Sequence, residues 1–495
     1  MFTYKEAVDK LNSLQSNAAL LEKLRKAGPR MNEKSLPEMR DYFKRIGYQP
    51  KDFDKLNLIH VTGTKGKGST SALTQSVLHN YDTSIKTGLF TSPHLVAVRE
   101  RIRINGAPIS EELFAKYSQE VWERLEATKE EAIKAMNLNT REHPDKPIYF
   151  RYLTLVALHA FVQEKVDCAI LEVGVGGEYD STNIIEKPIV CGITALGLDH
   201  VSVLGNTIDQ IAWHKSGIIK PNVPVVSFEQ PPLAMEVVER RAQEKSAPLT
   251  ILHAKDISKL EGVEIGLAGV HQKYNALTAI ELCKIWLKRI RGTVLDQDVP
   301  EDFKKGLALV KWPGRGQQLS LKDTKYATAS NNATWYLDGA HTIESLQVCA
   351  EWFKNTISKS SNDDHIRVLV FNCTHGRDSS HLLQVIANIQ PQVQFDHVIF
   401  TTNITFREGY TTDNTNKTVS MEEVVSVQQE LAKSWKEHVP EFSNDRVHVV
   451  GTIEDAVDFA VDLSKKSSDK HVQVLTTGSL IMVGNTLTVL GIEPQ

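Results

Sequence analysis

What the sequence lacks narrows it first. Its 495 residues hold only five cysteines, Cys168, Cys191, Cys283, Cys349 and Cys373. Their number is odd, they are widely spread, and no C-x-x-C pair occurs. They are therefore expected to be reduced packing residues of an intracellular enzyme rather than a disulfide framework. No stretch approaches the roughly 18 consecutive apolar residues of a membrane span; the best candidate, Tyr149–Val162, is interrupted by Arg151 and His159. The start, Met1 to Glu6, has no apolar core of a secretory signal, and Glu6 and Asp9 come too early for an acid-poor transit peptide. The N-x-T triplets at Asn332, Asn403 and Asn416 then carry no glycosylation meaning. Net charge is also small: 57 Lys and Arg face 61 Asp and Glu, a formal −4, so the basic footprint of a nucleic-acid binder is missing. No internal repeat appears at periods of about 20–50 residues.

What is present is ordinary globular composition, with 41% hydrophobic and 24% charged residues. The length fits about three domains, or two large ones. Along the chain, short apolar runs alternate with amphipathic stretches. Leu56–Thr62, Ser84–Phe90, Val166–Val173, Ile189–Leu196 and Val223–Phe228 have strand character; Ser69–Leu78, Tyr149–Gln163 and Thr207–Gly217 have helical spacing. Strands separated by helices imply crossover connections and a mainly parallel sheet covered on both faces. The pattern restarts after about residue 320. Thr334–Leu337, Arg367–Phe371, His397–Thr401, Val447–Val450 and Val472–Thr476 are β-rich, with helices around Leu382–Ile389, Met421–Trp435 and Ile453–Ser464. The expected fold class is thus α/β with two domains: residues 1–311 with a mainly parallel sheet, a break at 312–318 where Pro313, Gly314 and Gly316 interrupt regular structure, and a smaller α/β domain at 319–495. The polar segments Glu123–Lys146 and Glu408–Val419 are expected to be solvated surface insertions.

Thr62-Gly63-Thr64-Lys65-Gly66-Lys67-Gly68-Ser69-Thr70 joins an expected strand to an expected helix, where a phosphate cradle belongs. Glycines let backbone N–H groups approach oxygen closely, the helix N-terminus adds its dipole, and a lysine adds a point charge. The spacing departs from the usual P-loop: two residues separate Gly63 from Gly66, and Gly68 stands between Lys67 and Ser69. The glycines of Glu172-Val173-Gly174-Val175-Gly176-Gly177 suggest a dinucleotide fingerprint, but Tyr179 occupies the position of its last glycine. Ser92, Glu172 and His200 each follow an expected strand, where ligands of open α/β sheets bind, and so form a candidate Mg²⁺ set. Histidine is an unusual partner for so hard a cation, and the bland alternative is a satisfied histidine beside a capping serine. Lys215, taken alone, reads as a solvated lysine on a helix. Asp338, in Asp338-Gly339-Ala340-His341, reads as a turn residue or helix cap, and Arg315 either packs at the break or reaches a nucleotide.

Together the strings TGTKGKGS (62–69), TSPH (91–94), RERIRING (99–106), EVGVGGEYDSTN (172–183), LDH (198–200), HKSGI (214–218), HQKYNA (271–276), WPGR (312–315), LDGAH (337–341) and TGSL (477–480) resemble the folylpolyglutamate synthase family, within the wider group of Mur-type ATP-dependent amide ligases. Their order and spacing carry the resemblance, and Thr342 after DGAH and Glu178-Tyr179 after GVGG look eukaryotic. The resemblance implies an N-terminal P-loop domain and a C-terminal Rossmann-like domain. It implies that Thr64, Lys65, Gly66, Lys67, Gly68 and Ser69 hold the ATP phosphates, that Asn275, Arg315 and Asp338 contact adenosine, and that Ser92, Glu172 and His200 bind Mg²⁺. Arg101, Asp180, His341 and Ser479 fall on the folate or glutamate side, Arg101 and Asp180 among the catalytic residues with Lys67, Glu172 and His200. Lys215 would carry a carbamate, which reverses its solitary reading. The activity implied is ATP-driven addition of glutamate to reduced folates and their polyglutamates, with Mg²⁺ and a monovalent cation such as K⁺, by a cytoplasmic monomer with a mitochondrial pool. Dihydrofolate synthase, a cell-wall Mur ligase and a non-enzymatic NTP switch are the alternatives.

Overall fold

Two mainly parallel sheets organise the chain. A computed structural model describes residues 1–15, 32–130, 145–327, 332–357, 365–373, 379–411, 413, 421–467 and 469–493. By internal contacts the chain divides into two units: Met1–Pro93, Arg99–Gly266 and Val270–Lys311 form one, and His94–Val98, Leu267–Gly269 and Trp312–Gln495 the other.

The first unit holds β1 (Ile59–Thr62), β2 (Thr87–Phe90), β3 (Ile102–Ile104), β4 (Ala107–Pro108), β5 (Cys168–Glu172), β6 (Val190–Ile193), β7 (Val225–Phe228) and β8 (Leu249–Leu252), in the order β4-β3-β2-β5-β1-β6-β7-β8. The six strands from β2 to β8 run parallel, while β3 and β4 add an antiparallel edge. β1, β2, β5 and β6 are buried at every residue, as expected of strands covered on both faces. The helices Lys67–Tyr81 and His271–Arg291 pack on these strands. The helix Tyr149–Gln163 forms with the bounds its spacing implies; ten of its residues, from Tyr152 to Phe161, are buried.

The second unit holds β9 (Gln317–Ser320), β10 (Ala333–Asp338), β11 (His365–Phe371), β12 (His397–Thr401), β13 (Val447–Val450) and β14 (His471–Thr477), in the order β13-β12-β11-β14-β10-β9. Only β9 is antiparallel. Neighbouring residues of its strands bury on opposite faces. Tyr336, Leu369, Phe371 and Phe400 join one core with Phe353 and Trp435, while Trp335, Val368, Val370 and Ile399 join another with Val457 and Met482.

The two polar segments are not simply solvated. Residues 123–127 complete the helix Glu111–Ala127, Leu125 is buried, and Lys146 is a buried side chain paired with Glu126 and Asp145. Amphipathic spacing explains the helical part: Phe114, Tyr117, Val121 and Leu125 share one buried face. In the other segment Asp413 accepts the Val98 N–H at 2.7 Å. Residues 131–144, 412 and 414–420, and with them Asn416, lie outside the described residues.

Candidate functional site

The strand order places four loops side by side. β2, β5, β1 and β6 are neighbours, and the residues that follow their carboxyl ends are Ser92, Val173–Asp180, Gly63–Ser69 and Thr194–His200 respectively. Ligands of open parallel sheets bind at this end.

The phosphate loop is shaped by the loop after β6. Thr64 and Lys65 N–H groups both donate to the Ala195 carbonyl, at 2.9 and 3.1 Å. The Thr194 hydroxyl donates to the Lys65 carbonyl at 2.7 Å, and Thr64 Oγ1 bonds Gly197 on both sides of its peptide. Gly66 caps the helix Lys67–Tyr81 with φ +90°, and a Cβ there would lie 2.3 Å from Asn275 Oδ1. No side chain caps that helix, so its first N–H groups and its dipole face the loop. Asn275 accepts from Thr70 Oγ1 at 3.3 Å and donates to Gln272, whose own amide reaches Ser69 Oγ at 3.4 Å. Asn275 thus sits beside Gly66 and the start of the helix.

Positive charge converges on the loop. Lys67 Nζ donates to the Gly63 carbonyl at 3.1 Å, and Lys215 Nζ donates to the same oxygen at 2.8 Å. Lys65 faces Asp199 at 3.8 Å. Lys215 is only 3% exposed, which overturns its reading as a solvated lysine; burial, with the Lys67 charge second, pulls its pKa down to about 7. Gly177 and Gly217 make this burial possible. A Cβ on Gly177 would lie 2.7 Å from the carbonyls of both His214 and Lys215, and one on Gly217 would lie 2.4 Å from Glu178 Cα, so the loop after β5 rests directly on the end of the helix Ile208–Ser216.

Glu172 ends β5, is buried, and accepts the Ser92 N–H on Oε2 at 3.0 Å. His200 precedes a four-residue helix in a left-handed conformation, φ +50°, and burial lowers its pKa, which favours the neutral imidazole. Among the described residues no group of three or more His, Cys, Asp or Glu is placed to hold a metal; the expected set has two such residues and a serine. Asp180 is fully buried, with its pKa raised by that burial, and its carboxylate holds its own loop: Oδ2 accepts Val175 N–H at 3.1 Å and Oδ1 accepts Thr182 N–H at 3.0 Å. Arg101 lays its guanidinium 5.5 Å from the centre of the Tyr149 ring.

In the second unit, Asp338 ends β10 and accepts Gly316 N–H at 2.8 Å and Ala340 N–H at 2.9 Å; burial raises its pKa against the Arg315 charge. The Gly478 N–H donates to Ala340 at 2.9 Å, joining the loops that carry His341 and Ser479. His341 Nδ1 donates to the Gly339 carbonyl at 2.7 Å, and Ser479 caps the helix Leu480–Val489. Sequence reasoning gave no part to Thr194, and none to Gln272 within HQKYNA. The hydroxyl residue inside the apolar run Ile189–Leu196 could have signalled the first.

Residues 318–489 match the family model described as Dihydrofolate synthetase, C-terminal domain. A folylpolyglutamate synthase of Candida albicans is 44% identical over a 517-residue alignment that covers 99% of this chain and 96% of the relative. The chain belongs to the folylpolyglutamate synthase family. A folylpolyglutamate synthase of Saccharomyces cerevisiae (strain FostersO) is 42% identical over 501 residues, covering 98% of this chain and 87% of that one. The structure of Mycobacterium tuberculosis folylpolyglutamate synthase complexed with ADP superposes with a TM-score of 0.71 at 25% identity, covering 96% and 98% of the two chains. Family membership sets aside the cell-wall ligase and the non-enzymatic switch.

Proposed function

We propose that the protein joins glutamate to the γ-carboxylate of a reduced folate, and to the polyglutamates so formed, converting ATP to ADP and phosphate. The observation that carries this is full-length membership of the folylpolyglutamate synthase family by a chain whose phosphate loop gathers two lysines beside a buried carboxylate. A folate carboxylate oxygen attacks the γ-phosphorus and the bond to the β-phosphate oxygen breaks, giving an acyl phosphate and ADP. The amine of glutamate then attacks the acyl carbon, loses a proton, and expels phosphate. No covalent protein nucleophile is needed. The chain supplies charge: Lys67 and the N–H groups of residues 66–69 balance the phosphoryl oxygens, whose charge spreads in the transition state. Arg101 offers a cation for the carboxylates of the folate tail, and His341 and Ser479 belong to the glutamate side. Asn275, Arg315 and Asp338 are the adenosine contacts of this reading.

Mg²⁺ bound with ATP would neutralise phosphate charge. Glu172, Ser92 and His200 are the residues that would hold it; a buried carboxylate at a strand end and a serine hydroxyl are hard oxygen donors of the type Mg²⁺ takes, and a neutral His200 has a lone pair to offer. Lys215 fits a carbamate, because CO₂ adds to a neutral amine and its pKa is already drawn to about 7. K⁺ as a second cation, a monomer, and a cytoplasmic location with a mitochondrial pool go with the same reading.

A second reading is favoured by the description of the family model matched at residues 318–489: dihydrofolate synthesis, in which dihydropteroate receives its first glutamate. One assay separates the two. Purified protein is given ATP, Mg²⁺, labelled glutamate and either tetrahydrofolate or dihydropteroate, and products are resolved by chain length. A ladder on tetrahydrofolate is expected; a single addition to dihydropteroate with no ladder transfers the assignment.

A further inference from the structure

A buried polar chain runs beneath the loop that follows β5. His60 lies on the central strand β1, opposite Leu171 of β5 and Cys191 of β6, and is wholly enclosed. Its Nε2 is 2.9 Å from Thr182 Oγ1. The Thr182 hydroxyl donates in turn to Asp180 Oδ1 at 2.6 Å. His60 Nδ1 is buried without a hydrogen-bond partner.

The hydrogens in this chain can be counted. A hydroxyl carries one hydrogen; both oxygens of Asp180 already accept backbone N–H groups, Oδ2 from Val175 and Oδ1 from Thr182, so the carboxyl group accepts here too and the Thr182 hydroxyl hydrogen points at it. The lone pair left on Thr182 faces His60, and the nitrogen that meets it must carry the imidazole hydrogen. Nδ1 is then a bare lone pair, in keeping with its lack of a partner, because a buried orphan acceptor is tolerated better than a buried orphan donor. A second ring proton would have no acceptor, and burial, with the Lys220 charge second, pushes the His60 pKa down to about 3. The charged groups facing the chain are Lys220, whose Nζ donates to the Asn183 carbonyl at 3.4 Å, and Lys215, which feels the Asp180 charge; neither offers Nδ1 an acceptor.

We propose that His60 is a positioning residue of the site, a permanently neutral Nε2–H donor that holds Thr182, and through it Asp180 and the loop 174–183. That loop is a strut between two working parts. Thr62 Oγ1 donates to the Gly176 carbonyl at 2.7 Å, tying it to the strand that delivers the phosphate loop. Glu178 N–H donates to the His214 carbonyl at 2.7 Å, tying it to the helix that carries Lys215. The effect on catalysis rests on the proposed function, in which Asp180 belongs to the folate side; the tautomer does not.

Two measurements on the full chain decide it. With ¹⁵N-labelled histidine, and His60→Gln to assign the signal, His60 should show a protonated Nε2 and a bare Nδ1, unchanged across about pH 6 to 8, where an ordinary histidine titrates. In kinetics, His60→Gln sets an amide N–H where Nε2 stood and should keep kcat/KM for folate within about threefold. His60→Asn reaches only the Nδ1 position, and His60→Leu has no donor; both should lose roughly tenfold, with KM for ATP moving far less. A space-filling His60 predicts the reverse order, with leucine tolerated at least as well as glutamine. That order, a proton on Nδ1, or a titration in the stated range overturns the proposal. If the wild-type protein adds no glutamate to folate at all, the proposed function has failed instead, and the imidazole spectrum alone decides for His60.

Discussion

Lys67 and Lys215, far apart in sequence, aim their ammonium nitrogens at one carbonyl oxygen, that of Gly63, from 3.1 and 2.8 Å. At Lys215 burial first, and the Lys67 charge second, draw the pKa down to about 7.

Lys215→Met should therefore be stabilising in CO₂-free buffer at neutral or lower pH, although it should abolish activity. The unfolded lysine has a pKa near 10.5 and the folded one about 7, so folding must expel or bury a proton at any pH below 10.5. The penalty is full below pH 7 and is lifted as pH rises towards 10.5. The melting midpoint of the variant should exceed that of wild type by a few degrees or more near pH 6, and the gap should close by about pH 10. A gap that widens with pH contradicts the assignment.

Lys215 in active protein kept with bicarbonate should carry a carbamate. Density or an intact-mass measurement showing an unmodified lysine in fully active protein counts against it.

Glu172→Gln should leave the fold intact and cut turnover by roughly 10²–10³-fold, the loss of about 3–4 kcal/mol of charge stabilisation. The amide keeps the side-chain volume and an oxygen for Ser92 N–H but removes the anion. Near-wild-type turnover at ordinary Mg²⁺ would defeat the role.

Gly66→Ala forces a side chain onto φ +90° and into Asn275. The strain and the clash together should cost about 1–3 kcal/mol and raise KM for ATP. Calorimetric titration with ADP checks this without turnover, and unchanged affinity would show that the loop adapts.

Arg101→Ala should weaken use of folate much more than of ATP, by about 1.5–3 kcal/mol if a charge-assisted contact is lost. Equal effects on both KM values would remove Arg101 from the folate side.

The sequence disclosed what depends on local pattern. Alternating strands and helices, the glycine-bearing loop after β1, and the helix Tyr149–Gln163 were legible because periodicity and glycine spacing are local properties. It did not disclose what depends on strand order. Nothing in HKSGI says that Lys215 is buried; that follows from Gly177 and Gly217 letting two backbones touch. Nothing in EYDST says that Asp180 holds its own loop through Thr182. β3 falls inside the string RERIRING (99–106) and β4 directly after it, so nothing local marks this antiparallel edge, and nothing singles out the helix Pro232–Glu244 or β8.

The second unit closes around a piece of chain from far upstream. Leu95 shares a core with Trp335, Val474 and Met482, and Gly484 is bare where the Leu95 carbonyl passes, 2.0 Å from where a Cβ would stand. The chain changes unit after Pro93, Val98, Gly266, Gly269 and Lys311. The two halves are therefore not cassettes. A recombinant that joins the first 311 residues of one homologue to the remainder of another inherits a carboxyl half packed around a stranger's Leu95, and a fragment begun at Trp312 has a hole in its core. Evolution can exchange these halves only by moving two short upstream passages together with the large one.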